Sequence, residues 1–243
     1  MHPKKRDFDG EAAAWNEHPG RVKLAKDVAR AISQQVALTP QTRVMEFGCG
    51  TGLLATQLQP LVHSIVGADT SQGMLDVFKS KIAKLELHNV RAAWIDPAKS
   101  DPLAGNYDLI VSSMTLHHVE VIEPLIAQFH KITAPGGHLC IADLDLEAGR
   151  FHDDNSGVFH FGFDRHRLRN AFMAAGFDEV RDSTAAEMVK PAKSGEMQRF
   201  TIFLLTGKKN VYGGGNSFRL PGNLSCPADC ATLAAMLEPL LIP

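Results

Sequence analysis

Residues 44 to 52 read Val44-Met45-Glu46-Phe47-Gly48-Cys49-Gly50-Thr51-Gly52, and the helix-like run Leu53 to Leu58 follows at once. A short apolar stretch carrying one acid thus runs into glycine at every second position. Glycine reaches positive φ without steric penalty and places no Cβ between chain and ligand, while the start of the next helix offers unpaired N–H groups. The stretch reads as a strand turning sharply into a helix around a nucleotide-like ligand. Its spacing, Glu46-x-Gly-x-Gly-x-Gly, fits neither the dinucleotide fingerprint Gly-x-Gly-x-x-Gly nor the phosphate loop Gly-x4-Gly-Lys-Ser/Thr.

Outward from this loop, strands and helices alternate. Ala25, Val28, Ala29, Ile32 and Val36 recur at helical spacing over Gly20 to Leu38, and Arg43 to Phe47 is a strand. Ser64 to Ala68 is a second strand, and Ser71 to Leu85 a helix with Met74, Phe78, Ile82 and Leu85 on one stripe. Val90 to Ile95, Tyr107 to Ser112 and Gly137 to Ala142 supply further strands, separated by turn signals at Asp96-Pro97, Ala104-Gly105-Asn106 and Pro135-Gly136-Gly137. This order implies a doubly wound, mostly parallel α/β sheet with ligands at the carboxyl ends of its strands. Asp164 is placed to cap a helix running to Ala175, and Glu179 to Ser183 with Arg199 to Leu205 read as a hairpin.

Composition narrows the classes. The 243 residues, 44% hydrophobic and 21% charged, suffice for one well-buried domain with an appendage. A net charge of −2 supplies no global field toward nucleic acid, and no apolar run approaches the roughly 20 residues of a membrane span. The start, Met1-His2-Pro3-Lys4-Lys5-Arg6, is not followed by the apolar stretch of a secretory signal, and four scattered cysteines make no disulfide framework. A cytoplasmic protein is expected, without nucleic-acid partner or membrane span.

The residues that follow the strands carry the chemistry. Asp69 ends the second strand, where a carboxylate can accept both hydroxyls of a ribose; a helix N-terminal role beside Thr70 and Ser71 is the plainer alternative. The glycine loop resembles motif I of the class I S-adenosylmethionine-dependent methyltransferases. The segment Tyr107-Asp108-Leu109-Ile110-Val111-Ser112-Ser113-Met114-Thr115-Leu116-His117-His118-Val119 is similar to that family's fourth strand, and Pro135-Gly136-Gly137 to the turn before its fifth. Together these matches span Val44 to Leu205. The resemblance implies a seven-stranded Rossmann-like sheet with an antiparallel last strand, and S-adenosylmethionine as cofactor. It places Glu46 on the ammonium of the cofactor's methionine, Gly48, Cys49, Gly50, Thr51 and Gly52 along the cofactor, and Asp69 with Thr70 at its ribose. Met74, Asp96 and Pro97 fall at the adenine, and Ser112 at the end of the fourth strand. Buried at a strand end without a cation, Glu46 would be costly.

The reaction implied is in-line displacement of the methyl group by an O, N, S or C nucleophile. That needs alignment and a dry pocket, with a base only where the nucleophile carries a proton. Candidate bases are His117, His118, Asp143, His152 and His160, with a loop or capping role as the bland reading of each. His117, His118 and Trp15 are the candidates for contact with the acceptor. Trp15 stands in Phe8-Asp9-Gly10-Glu11-Ala12-Ala13-Ala14-Trp15, which resembles the lid such enzymes close over their ligands. The His and Asp residues of 143 to 165 form no ligand set at helical or hairpin spacing, so no metal is expected. The Asn/Asp-Pro-Pro-Tyr of enzymes that methylate exocyclic or amide nitrogen is absent after the fourth strand, so a small molecule is the default acceptor.

Three segments are expected: residues 1–38 as lid and helix, 39–207 as the cofactor-binding domain, and 208–243 as a linker with a helical tail. That tail carries Cys226 and Cys230 and offers a docking or homodimer contact. Two rivals stand beside the methyltransferase. A short-chain NAD-type dehydrogenase needs Tyr-x3-Lys, whereas Tyr107 and Tyr212 are followed four residues later by Val111 and Asn216. A non-catalytic S-adenosylmethionine-binding protein of the same fold is the second.

Overall fold

Successive strand residues send their side chains to opposite faces, and both faces are apolar. Val44, Leu109, Val111, Cys140, Ala142, Ile202 and Leu204 enter one core cluster, while Met45, Ile110, Leu139, Ile141, Phe203 and Leu205 enter the other. A sheet buried on both sides must be covered by helices on both sides. The computed structural model, which describes residues 6–95, 103–191 and 195–211, has that architecture. Asp96, Pro97, Cys226 and Cys230 lie outside the described residues, as does the tail from residue 212.

The elements run α1 (Phe8–Glu11), a 3-10 turn (Ala12–Glu17), α2 (Pro19–Gln35), β1 (Arg43–Phe47), α3 (Leu53–Leu58), β2 (Ser64–Asp69), α4 (Gln72–Lys84), β3 (Val90–Trp94) and β4 (Tyr107–Ser113). After a 3-10 turn (Leu116–His118) come α5 (Glu123–Ile132), β5 (Thr133–Leu144), α6 (Arg165–Ala174), β6 (Phe177–Pro191) and β7 (Met197–Lys209). One seven-stranded sheet has the order β3-β2-β1-β4-β5-β7-β6. Strands β1 to β5 pair in parallel, and β7 is antiparallel to both neighbours. Strand order reverses between β1 and β4, so a crevice opens at their carboxyl ends.

Helix α2 buries Leu24, Ala25, Val28, Ala29, Ala31 and Ile32 and covers one face of the sheet. Phe129, Phe172 and Phe203, all fully buried, anchor the opposite core, each worth about 1.5–3 kcal/mol of apolar burial. Ser71 caps α4 by accepting from the Met74 N–H, and Asp164 caps α6 by accepting from His166 and Arg167.

Two boundaries differ from the sequence reading. Strand β5 starts at Thr133, before the Pro135-Gly136-Gly137 turn, because the turn is absorbed as an irregularity: Tyr107 pairs with Thr133, then Leu109 with His138. The hairpin is also longer, extending past Ser183 and before Arg199 to a pairing of Pro191 with Met197. This extension belongs to an edge strand whose side chains are mostly solvated, so no apolar run marks it.

Candidate functional site

The glycine loop is tied down at the mouth of the crevice. Gly48 and Cys49 donate their backbone N–H groups to the Ala68 carbonyl at 2.8 and 3.1 Å, and Gly50 donates to Oδ2 of Asp69 at 2.7 Å. Gly48, Gly50 and Gly52 all have positive φ, of 70°, 51° and 73°. Their environments differ. A Cβ on Gly48 would stand 2.2 Å from the Thr115 side chain, and one on Gly52 2.0 Å from the Phe78 ring. At those two positions protein packing by itself already excludes a side chain. Gly50 alone of the three has free space there: its nearest neighbour would be the Met74 sulfur at 3.9 Å.

Two acids border this space. Glu46, on β1, is buried, and its Oε2 has no hydrogen-bond partner. Burial pushes its carboxyl up to about 8, against the hydrogen bond from the Ala55 backbone and with added repulsion from Asp69. Asp69 uses Oδ1 for the Ser71 N–H at 2.9 Å and Oδ2 for Gly50. Each oxygen keeps a further lone pair. Burial also raises the Asp69 carboxyl, more than these N–H groups lower it. Ser112, at the end of β4, is buried with its Oγ unpaired. The other loop side chains turn away: Cys49 packs toward Gly67, and the Thr51 hydroxyl donates to Asn16 at 2.6 Å. Thr70 is exposed, and its carbonyl accepts from the Trp94 indole at 3.2 Å.

On the far side of β4 the chain turns through Met114, a non-glycine residue with φ of 54°. Such a residue costs of order 1–3 kcal/mol and persists where its surroundings fix it. Here the Met114 N–H is held by the Ala142 carbonyl at 2.8 Å, and Thr115 Oγ1 donates to the Gly48 and Ser113 carbonyls. The turn delivers His117 and His118 beside β5. Nδ1 of His117 lies 2.7 Å from Oδ1 of Asp143, a residue with no exposure. Burial alone would raise the Asp143 carboxyl, yet His117 and the Leu144 and His117 N–H groups hold it below the usual range. His118 Nδ1 meets the Gly157 carbonyl at 2.7 Å.

A third imidazole arrives from the loop after β5. Nε2 of His152 is 3.2 Å from Nε2 of His117. Glu147 shapes this loop, its carboxylate accepting from the N–H groups of Gly149, Arg150 and Phe151. Phe151 then packs edge-on against Phe200 of β7, ring centroids 5.2 Å apart, and its carbonyl accepts from Lys190 of β6. The hairpin extension thus holds the loop that presents His152. Burial lowers His118 to about 4 and His152 to about 3, assisted in both by His117.

His160 is not in this cluster. Its Nε2 donates to the Val119 carbonyl at 2.9 Å, while its backbone N–H and that of Phe159 donate to the His117 carbonyl, so it pins the loop against the histidine turn.

The N-terminal segment closes over both halves. Asp9 Oδ1 accepts from the Ser71 hydroxyl and the Gly73 N–H at 2.6 and 2.8 Å, bonding the segment to the start of α4. Phe8 lies edge-on to His118, centroids 5.1 Å apart, and Trp15 stands behind Phe8 at 6.0 Å, stacked under the Arg21 guanidinium. Trp15 reaches the histidines through Phe8 and through Arg6, whose guanidinium lies 5.8 Å from the Trp15 ring centre. Arg6 donates to Glu11 and lies 3.3 Å from His152 Nδ1. The sequence reading missed Arg6, Asp9, Asn16, Thr115 and Glu147 as site-forming residues; each acts across 35 or more residues except Glu147, which the turn at Ala148-Gly149 could have signalled.

A parallel sheet ending in one antiparallel strand, with an acid and three glycines at the first strand's end, defines the class I S-adenosylmethionine-dependent methyltransferase fold. The model of the methyltransferase domain family matches residues 17–181, and the chain belongs to that family. An uncharacterized methyltransferase of Schizosaccharomyces pombe is 33% identical over 152 residues, 56% of this chain and 54% of that protein. The biotin biosynthesis bifunctional protein BioCD of Bordetella avium is 30% identical over 143 residues, 58% of this chain and 30% of that protein. The chain thus spans about half or less of the length of these relatives. Among solved structures, an Aquifex aeolicus S-adenosylmethionine-dependent methyltransferase superposes with TM-score 0.60 at 16% identity, covering 84% of this chain and 99% of that one. A Haemonchus contortus phosphoethanolamine N-methyltransferase, solved with S-adenosylmethionine, gives 0.61 at 13% identity, covering 84% and 60%.

S-adenosylmethionine, the cofactor of this class, fits the residues present. Its ammonium suits the unpartnered Glu46 oxygen, its ribose hydroxyls the spare lone pairs of Asp69, and its bulk the open space over Gly50.

Proposed function

We propose that the chain transfers a methyl group from S-adenosylmethionine to a small molecule, with the cofactor over Gly50 and the acceptor among His117, His118 and His152 under the N-terminal lid. The observation that carries the reading is Glu46. A buried carboxylate oxygen without a partner is expensive unless a ligand supplies one, and the ligand of this fold brings a cation. When bound, the cofactor supplies an electrophilic methyl on a sulfonium sulfur.

The chain's own residues then do four things. Glu46 and Asp69 fix the two ends of the cofactor. Ser112, near the end of β4, offers the cofactor a buried hydroxyl that has no protein partner. Asp143 sets the ring of His117, and His160 holds the loop behind it. Phe8 and the histidine rings exclude water, and Nε2 of His118, whose other nitrogen faces the Gly157 carbonyl, presents a lone pair to the acceptor.

A small acceptor is supported by the lid, which covers the histidines with Phe8 and Arg6, and by a net charge of −2, which gives no attraction for nucleic acid. Two similar proteins bear names that point to small-molecule chemistry, biotin biosynthesis and phosphoethanolamine N-methylation. No described helix is long and apolar enough to cross a membrane. The test is to incubate the protein with methyl-labelled cofactor and a cell extract separated by size. Label in the small-molecule fraction is expected; label confined to protein or RNA would overturn the acceptor class. No transfer despite tight cofactor binding would favour a non-catalytic binding protein.

A further inference from the structure

We propose that His117, His118 and His152 form a binding site for a divalent first-row transition ion of the zinc class, adjoining the acceptor side of the pocket. Each offers one nitrogen, and these three atoms lie within 4.8 Å of one another. Tetrahedral zinc with nitrogen ligands at about 2.0–2.1 Å sets neighbouring ligand atoms roughly 3.3 Å apart. His117 and His152 already stand at 3.2 Å.

The outer contacts of the rings favour ligation. The Gly157 carbonyl can only accept, so the His118 Nδ1 facing it carries the proton and Nε2 keeps its lone pair. Asp143 does the same for His117, accepting at 2.7 Å from Nδ1. A carboxylate on one ligand ring and a backbone carbonyl on the next are the outer contacts that fix tautomers and ring orientation in histidine metal sites. The sequence could not show this, since the third ligand comes from a different loop 35 residues on.

Arg6 defines the state seen here. A guanidinium can only donate, so opposite it His152 Nδ1 accepts, and the ring's proton sits on Nε2, shared with His117 Nε2. For Nε2 to bind the ion the ring must change tautomer, its proton moving to Nδ1, and Arg6 must then leave the ring. It keeps a partner in Glu11, which it already contacts through two hydrogen bonds of 2.8 and 2.7 Å. Arg6 is therefore a plug that the ion and an open lid exclude. The inference rests on the proposed function in one respect: the ion's open position would take an oxygen, nitrogen or sulfur donor of the acceptor, which puts acceptors with an ionisable group of that kind first.

The test uses the full chain, dialysed against a chelator and titrated with Co2+ and no cofactor. The visible ligand-field absorption of tetrahedral cobalt should appear, saturate at one equivalent and be displaced by Zn2+. His118→Ala and His152→Ala, checked for folding by circular dichroism, should each weaken binding more than about tenfold. Asp143→Asn should weaken it by about tenfold or more, and Arg6→Ala should tighten it. His166→Ala, an exposed histidine on α6, should change nothing. No cobalt spectrum in a folded sample, or one indifferent to His118→Ala and His152→Ala, overturns the proposal. Calorimetric cofactor binding in the same sample separates the two readings: bound cofactor without a cobalt spectrum removes the metal site and leaves the methyltransferase.

Discussion

Oδ1 of Asp143 and Nδ1 of His117 meet at 2.7 Å with both side chains buried, and a second contact runs from the His117 backbone N–H to Oδ2 at 3.4 Å. The pair joins the end of β5 to the turn after β4. Breaking a buried pair by removing one partner is strongly destabilising because the other is left desolvated. Asp143→Ala should lower stability by about 3 kcal/mol in urea unfolding, and Asp143→Asn by less. A loss within about 0.5 kcal/mol would show that the pair does not hold this junction.

Glu46 makes cofactor binding depend on pH. Its carboxyl, at about 8 in the free protein, is protonated at pH 7, whereas an ammonium partner requires it ionised. Binding at pH 7 should therefore release a proton, and affinity should rise as pH is raised toward 8. Calorimetry in buffers of different ionisation enthalpy reads this directly. Glu46→Gln should abolish both the release and the pH dependence.

The same group affects the free protein in the opposite sense. Between its ordinary 4.5 and about 8 the folded state holds a proton that the unfolded state has lost. This contribution to stability is complete below pH 4.5 and disappears as pH rises through 8. Thermal melts of wild type should lose stability over that window relative to Glu46→Gln, and parallel curves would contradict the raised carboxyl.

The three loop glycines should separate in their effects. Gly48→Ala and Gly52→Ala drive a Cβ into Thr115 and Phe78, so both should cost stability by several kcal/mol. Gly50→Val places its Cβ in open space and should fold, with strain of about 2 kcal/mol from its positive φ, yet bind cofactor more than tenfold more weakly. Asp69→Ala should weaken binding comparably. Melting temperature and cofactor titration on the same variants decide it.

Asp9 is the latch of the lid. Asp9→Ala removes its bonds to Ser71 and Gly73. Amide exchange over residues 7–17 should quicken while the sheet stays protected, and cofactor should dissociate faster. Unchanged exchange there would mean that the other contacts of the segment, among them Phe8 packing and the Thr51–Asn16 bond, hold it without Asp9.

What the sequence shows and what it hides follow from the range of the interactions. The strand at Glu46, the cap at Asp164 and the strand end at Asp69 are set by neighbours within a few residues, and local pattern finds them. The histidine cluster is set by contacts between residues 117, 143 and 152, and the loop carrying the third ring is held by Glu147 and the hairpin extension. No periodicity links those positions. For the same reason the glycine motif alone could not say that only Gly50 faces free space, since Thr115 and Phe78 reach Gly48 and Gly52 from other elements.

The most direct test of the cofactor site is a calorimetric titration of the purified protein with S-adenosylmethionine and S-adenosylhomocysteine, with NADH as control, repeated on Glu46→Gln. Micromolar binding of the first two ligands alone, weakened and freed of its proton release in the variant, is the predicted result. Absence of binding in a folded sample, or identical binding by Glu46→Gln, would contradict the assignment of the crevice at β1 and β4 as the cofactor site.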